Sequence, residues 1–216
     1  MWGFESLRPH DMAPPQFVLL AAAFNLFGTS TYVMATLAGR TRPNRVTWLL
    51  WAVAPLVAFA AELSEGVGLR SIMTFMVGFG PLVVFLASLR NHELRWRITR
   101  LDMSCGAISI AALILWGITR TGTVAIALSI LADLVAGIPT VAKAYRAPET
   151  EDHRAFLCAA ISAGITLLTV TDWSFATVAF PVYILLFAGG LFVLVRFAQF
   201  RPAHIRASMA DPAARG

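Results

Sequence analysis

The sequence predicts an all-α integral membrane protein of seven transmembrane helices. Three observations predict it. The 216 residues are 58% hydrophobic and only 13% charged, with a mean hydropathy of +0.72, whereas a soluble domain carries about 25% charged residues. Apolar runs of about 20 residues, the length that crosses a bilayer, recur seven times along the chain. The Lys and Arg residues, 17 in all, gather in alternate connections between those runs.

Taken in order, the predicted segments cover 16–38, 46–63, 71–89, 103–119, 121–142, 155–171 and 174–198. Pro, Gly and charge supply the breaks, in "LAGRTRPNR", "AELSEGVGLR", "LRNHELRWRITRLD", "YRAPETEDHR" and "TVTDWS". Little more than Arg120 and Thr121 separates the fourth and fifth segments, which makes that hairpin tight. The N-terminus carries Glu5 and Asp11 ahead of the first run and no cationic n-region, so no cleavable signal peptide is expected.

Charge sets the orientation. Arg40, Arg42 and Arg45 follow the first segment, Arg90, Arg95, Arg97 and Arg100 the third, Lys143, Arg146 and Arg154 the fifth, and Arg196, Arg201, Arg206 and Arg215 the seventh. Only Arg8, Arg70 and Arg120 fall on the opposite side. The positive-inside rule makes the richer side cytoplasmic, with the N-terminus outside and the C-terminus inside. A multi-pass protein of a bacterial inner membrane is the expected location. The sequence pI near 10 then reflects topology and does not imply nucleic acid. The arginines of the third connection, Arg90, Arg95, Arg97 and Arg100, are expected to meet anionic lipid headgroups.

With the N-terminus outside, the first and fifth segments run in the same direction and the fourth is an inverting link. This predicts two parallel three-helix repeats joined by a linker helix, a 3+1+3 arrangement. Its divisions are an outside N-terminal segment 1–15, a first repeat 16–89, a basic loop and linker helix 90–120, a second repeat 121–200 and a basic tail 201–216. Laying "NLFGTSTYVMAT" on "DLVAGIPTVAKA" sets Asn25 opposite Asp133, and "NRVTWLLWAVAP" on "HRAFLCAAISAG" matches Arg45 with Arg154.

Asp133 is the residue that asks for an explanation. It falls roughly 18 Å into its run at about 1.5 Å per residue, near the bilayer midplane, where an unpaired charge is costly. No Lys or Arg lies in the interior of any segment to pair with it, Arg196 falling at the end of the seventh. Water, a cation, a proton or a ligand remain. Asp133, Gly137 and Thr140 share one helical stripe, and Asn25, Thr29 and Tyr32 share the equivalent stripe of the first segment. Facing each other, the two stripes would line a central cavity for a small polar solute. The alternative is helix–helix adhesion by small and hydroxylated residues. Pro55, Pro81, Pro139 and Pro181 fall inside four segments and are candidate hinges, or static kinks.

The stretch "AGIPTVAKAYRAPETED" resembles the motif of the PQ-loop and SWEET transporter superfamily, in which a Pro, usually with Gln, precedes a basic loop. Here Thr140 stands where Gln is usual, Thr31 and Tyr32 replace the pair in the first repeat, and Gly164 lies opposite Pro55. The resemblance implies a transporter fold that moves solutes by rocking two three-helix bundles. Some relatives of that fold transport amino acids or vitamins, and one group are receptors.

Trp51 is a candidate aromatic wall of a solute site, though Trp48, Trp51, Trp96, Trp116 and Trp173 also read as an interfacial belt. Cys105 and Cys158 lie in different segments without a CxxC and read as small buried hydrophobes. His10, His92, His153 and His204 fall in loops or tails, and no HExxH or GxSxG occurs. The only lysine, Lys143, sits at a helix end, which excludes a retinal Schiff base. No cofactor and no enzymatic activity is expected. The expected function is alternating-access transport of a small polar solute, proton-linked through Asp133. The alternative is a receptor or accessory subunit of a larger membrane assembly, or a homo-oligomer, built on the same scaffold.

Overall fold

The computed structural model describes residues 13–14, 16–90, 98–119 and 121–200. Arg95, Trp96, Arg97, Arg120, the tail 201–216 and most of the segment 1–15 lie outside the described residues. Among the described residues the chain forms seven α-helices and no strand. They are α1 (Phe17–Leu37), α2 (Arg45–Ser64), α3 (Ser71–Arg90), α4 (Arg100–Thr119), α5 (Gly122–Arg146), α6 (His153–Leu168) and α7 (Phe175–Gln199), with 3-10 turns at Gly68–Arg70 and Pro148–Thr150. Five of the helices, α1, α2, α3, α5 and α7, are long and apolar enough to cross a membrane. The chain is therefore an α-helical membrane protein by the length and composition of those helices.

Local sequence sets the helix ends. Asn44 caps α2, its Oδ1 accepting from Thr47 N at 3.1 Å, and Asp152 caps α6, its Oδ1 accepting from Arg154 N at 2.9 Å. His153, expected in a loop, is thereby the first residue of α6. Helix α4 starts three residues before its apolar run because Thr99 and Asp102 form a reciprocal cap: Asp102 Oδ2 accepts from Thr99 N at 2.7 Å, and Thr99 Oγ1 from Asp102 N at 3.2 Å. Gly39, with φ of 72°, turns the chain out of α1 in a conformation that side chains resist. Helix α6 is the shortest, 16 residues, because the chain leaves it at Thr169, short of the expected 171.

Burial runs opposite to a soluble bundle. On α1 the buried face is Val18, Ala21, Asn25, Gly28, Tyr32 and Ala35, spaced alternately three and four apart, while Leu19, Leu20, Leu26, Phe27, Met34 and Leu37 are exposed. Large apolar side chains outward and small or polar ones inward is the pattern a lipid solvent selects.

Helix α1 packs on α3 and α6, α2 on α3 and α5, and α7 on α5 and α6. These pairings close a ring in the order α1, α3, α2, α5, α7, α6. Exchanging α1 with α5, α2 with α6 and α3 with α7 reproduces the same ring. Helix α4 lies outside it, against α5 and part of α2. Two buried contacts fix it there: Ser109 Oγ donates to Ala132 O at 2.8 Å, and Asn44 Nδ2 donates to Asp102 Oδ1.

Candidate functional site

The ring encloses a cavity of about 80 Å³, lined by all six of its helices and by none of α4. Polar groups come from Asn25, Thr29 and Tyr32 on α1 and Asp133 on α5; aromatic surface comes from Trp48, Trp51, Phe156 and Phe187. At roughly 10–15 Å³ per water-sized centre, this is room for several waters or one small solute.

Asp133 is only 2% exposed. Its Oδ2 accepts from Tyr183 Oη at 2.6 Å, and its Oδ1 has no protein partner. Its backbone carbonyl accepts from Trp51 Nε1 at 3.0 Å. That bond fixes the indole on α2 beside the carboxylate on α5. A carboxyl group with one oxygen held and one unpartnered is an expensive thing to bury, unless the free oxygen has work in the cavity.

The aromatic side chains form a continuous wall. Ring centroids are 4.5 Å apart for Tyr32 and Trp48, 5.4 Å for Trp48 and Trp51, and 5.8 Å for Trp51 and Phe187, whose planes meet at 84°. Phe187 in turn stacks on Tyr183 at 5.5 Å. Glycine makes room for this wall. A Cβ on Gly137 would collide with Phe187 and lie 3.2 Å from Trp51 Cζ2. A Cβ on Gly80 of α3 would lie 2.5 Å from Thr29 Oγ1 and 3.4 Å from Asn25 Oδ1, so the bare backbone lets α3 approach the polar stripe of α1.

Two clusters flank the cavity along the axis of α1. Toward the N-terminal end of α1, Val18, Ala58, Met73, Phe180 and Ile184 form a buried apolar plug. Toward its C-terminal end the closure is polar and aromatic. Tyr32 is completely buried and its Oη donates to Glu151 Oε2 at 2.6 Å. Glu151 Oε1 pairs with Lys143 Nζ at 2.6 Å, and the same ammonium donates to Arg42 O. Gln199 of α7 donates to Pro148 O at 3.1 Å. Helices α1, α5 and α7 thus converge on the single turn Pro148–Glu151.

Of the residues expected at a solute site, Asn25, Thr29, Tyr32, Trp51 and Asp133 line the cavity together. Thr140 does not: it is fully buried one turn beyond Gly137, where Phe187 and Trp51 close the space, and its Oγ1 has no partner. Of the prolines, Pro81 lines the cavity, while Pro55, Pro139 and Pro181 lie within α2, α5 and α7 away from it. Trp48, assigned to an interfacial belt, is instead buried in the wall beside Trp51. Lys143, counted among the cytoplasmic charges, is used internally by Glu151. Cys105 and Cys158 are free and buried.

Sequence reasoning missed three acid–hydroxyl pairings. Tyr183 holds Asp133, Tyr32 holds Glu151, and Thr74 Oγ1 donates to Glu62 Oε1 at 2.9 Å. Glu62 is 1% exposed at the α2–α3 contact near the apolar plug, outside the cavity, and its Oε2 has no partner. Repeat pairing gives no signal for Tyr183, since the residue at the same distance after Pro81 in α3 is Val83. Nothing local marks Glu151 as buried, because it sits in a charged loop. Among the described residues no cluster of three acids, histidines or cysteines is placed to hold a metal ion.

Comparison with known proteins adds no relative. No protein-family description matches the chain, and no curated protein or solved structure is significantly similar to it.

Proposed function

We propose that the protein is a membrane transporter that moves a small polar solute by alternating access between two three-helix bundles. The observation that carries this reading is the central cavity, with polar residues on α1 and α5, walled by all six ring helices and flanked by an apolar and a polar cluster. A buried pocket with convergent polar groups at the junction of packed units is where solute sites occur.

In this reading α1–α3 and α5–α7 are parallel repeats and α4 is the linker, so seven helices cross the membrane. The exchange symmetry of the contact ring supports it, because duplicated bundles must meet through equivalent faces. The N-terminus lies outside and the C-terminus inside in this reading, which the charge partition supports. The apolar plug is then the outer barrier, and the Tyr32–Glu151–Lys143 network the inner one. Pro55, Pro81, Pro139 and Pro181 each remove a backbone hydrogen bond and serve as hinges on which the bundles rock. Asn25, Thr29, Tyr32, Trp51 and Asp133 contact solute, with Asp133 carrying a coupling proton. Arg90 and Arg100 contact anionic headgroups.

The reading is tested without knowing the solute. Cys105 and Cys158 are replaced by alanine, and Ala159→Cys places one thiol in the cavity wall. A membrane-impermeant maleimide is applied to sealed vesicles of each orientation. A transporter exposes this position to both faces in turn, so labelling is expected from either side. Labelling from one side only, or from neither, would favour a scaffold such as a receptor or accessory subunit.

A further inference from the structure

Resting on that reading, the cavity's chemistry narrows the solute to a class. We propose that the cavity takes a small organic cation, an ammonium compound, seated between Asp133 Oδ1 and the ring faces of Trp51 and Phe187.

Charge comes first. Among the described residues the only formally charged side chain on the cavity wall is Asp133, and no Lys, Arg or His lines it. Asp133 is one of the lining residues, and its Oδ1 is buried and unpartnered, so the site offers one anionic acceptor that the protein leaves unmatched. A cation of one charge completes it; an anion finds nothing to bind. The rings come next. Trp51 and Phe187 meet nearly at right angles and form a corner, and aromatic faces attract an ammonium group through their quadrupoles. The Trp51 Nε1 bond to Asp133 O holds this corner at a fixed place relative to the carboxylate. Carboxylate and aromatic corner are thus assembled before any ligand arrives, which lowers the cost of binding.

Other classes fit less well. A sugar brings many hydroxyls, and a wall whose free polar groups reduce to Asn25, Thr29, Asp133 and Trp48 Nε1 would leave most of them unpaired. Tyr32 already donates its hydroxyl to Glu151. A divalent metal ion asks for about six oxygen ligands, and the wall supplies one carboxylate. The volume of about 80 Å³ corresponds to about five to eight water-sized centres at roughly 10–15 Å³ each, the scale of a compact quaternary ammonium rather than a drug-sized cation.

The test uses the full chain in detergent and then in proteoliposomes. Binding of choline and tetramethylammonium is measured by tryptophan fluorescence and by the thermal midpoint, against the neutral isostere of choline in which carbon replaces the ammonium nitrogen. Choline is expected to bind about tenfold or more tightly than the isostere. Trp51→Leu should weaken choline about tenfold, and Asp133→Asn should abolish its binding. Equal binding of choline and isostere, binding of sodium or calcium alone, or no binding of either ammonium probe to folded wild type each overturns the proposal. Should Asp133→Asn fail to fold, the isostere comparison and Trp51→Leu still decide. Labelled choline counterflow separates the two readings. Binding with counterflow upholds both, whereas binding without counterflow keeps the cation site and removes transport. An Ala159→Cys thiol that labels from both faces, with no ammonium binding, keeps transport and removes the cation site.

Discussion

Tyr183 Oη donates to Asp133 Oδ2 at 2.6 Å, joining α7 to α5 at the wall of the cavity. The bond fixes one carboxylate oxygen and leaves the other, Oδ1, without a partner. Hydrogen bonds to charged groups contribute roughly 1.5–3 kcal/mol, and orphaning a buried partner costs about as much. Tyr183→Phe is therefore expected to lower stability by about 1–2 kcal/mol, read as a lowered thermal midpoint. In a double-mutant cycle with Asp133→Asn the two effects should fall short of adding, by about 0.5–2 kcal/mol. Additive effects would mean the contact carries no energy, and the orientation argument for Oδ1 would fail with it.

The far side of the cavity makes an asymmetric prediction. Glu151 is 3% exposed, whereas its partner Lys143 keeps a side chain 19% exposed. Lys143→Met leaves a buried carboxylate with Tyr32 alone and should cost about 3 kcal/mol. Glu151→Gln leaves an ammonium that still reaches solvent and should cost about 1 kcal/mol, since partly exposed charges are screened. The double variant is expected to be more stable than Lys143→Met by itself. If Lys143→Met unfolds no earlier than Glu151→Gln, the network is not a barrier held by charge.

Glycine substitutions separate close packing from open helix surface. Gly28→Ala puts a methyl 2.6 Å from Cys158 Cβ and 3.2 Å from the Ala155 backbone at the α1–α6 contact. Gly80→Ala meets Thr29 at 2.5 Å across α1 and α3. Each should cost about 1–3 kcal/mol of overpacking. Among the described residues nothing lies within 4 Å of a Cβ added at Gly117 or Gly190, so Gly117→Ala and Gly190→Ala should be neutral or gain up to about 1 kcal/mol of helix propensity. Thermal midpoints of the four variants check the contrast, and a uniform response would contradict the packing described.

These residues also show how far the sequence could be read. Hydropathy and Pro, Gly and charge breaks located all seven helices, because a lipid solvent demands long apolar runs and polar connections. The 3.6-residue period put Asn25, Thr29 and Tyr32 on one stripe, and that stripe does line the cavity. The same logic failed for Thr140. It shares a stripe with Asp133, but the cavity stops at Gly137, where side chains of α2 and α7 fill the space. Periodicity specifies a face and says nothing about which stretch of it a neighbour occupies. Tyr183 and Glu151 were illegible for the same reason: each is defined by a partner fifty or more residues away, brought near only by packing.

The last expectation concerns the proton. Among the cavity-lining residues Asp133 is the one acid, and Tyr183 is the titratable group that faces it from α7. One carboxylate cannot hold a proton and an ammonium group at once. A proton bound at Asp133 and a cation bound beside it are therefore mutually exclusive, and in the proposed transport cycle the bundle returns carrying the other. The expected coupling is exchange, with a proton leaving as each cation enters. In wild-type proteoliposomes an acid-inside gradient should drive labelled choline inward above equilibrium, and an acid-outside gradient should drive it out. Asp133→Asn should lose both. Tyr183→Phe should retain gradient-driven uptake with altered affinity, because it orients the carboxylate without exchanging the proton. Choline that moves down its own gradient but ignores the imposed pH difference would leave the cation site standing and remove Asp133 from proton coupling.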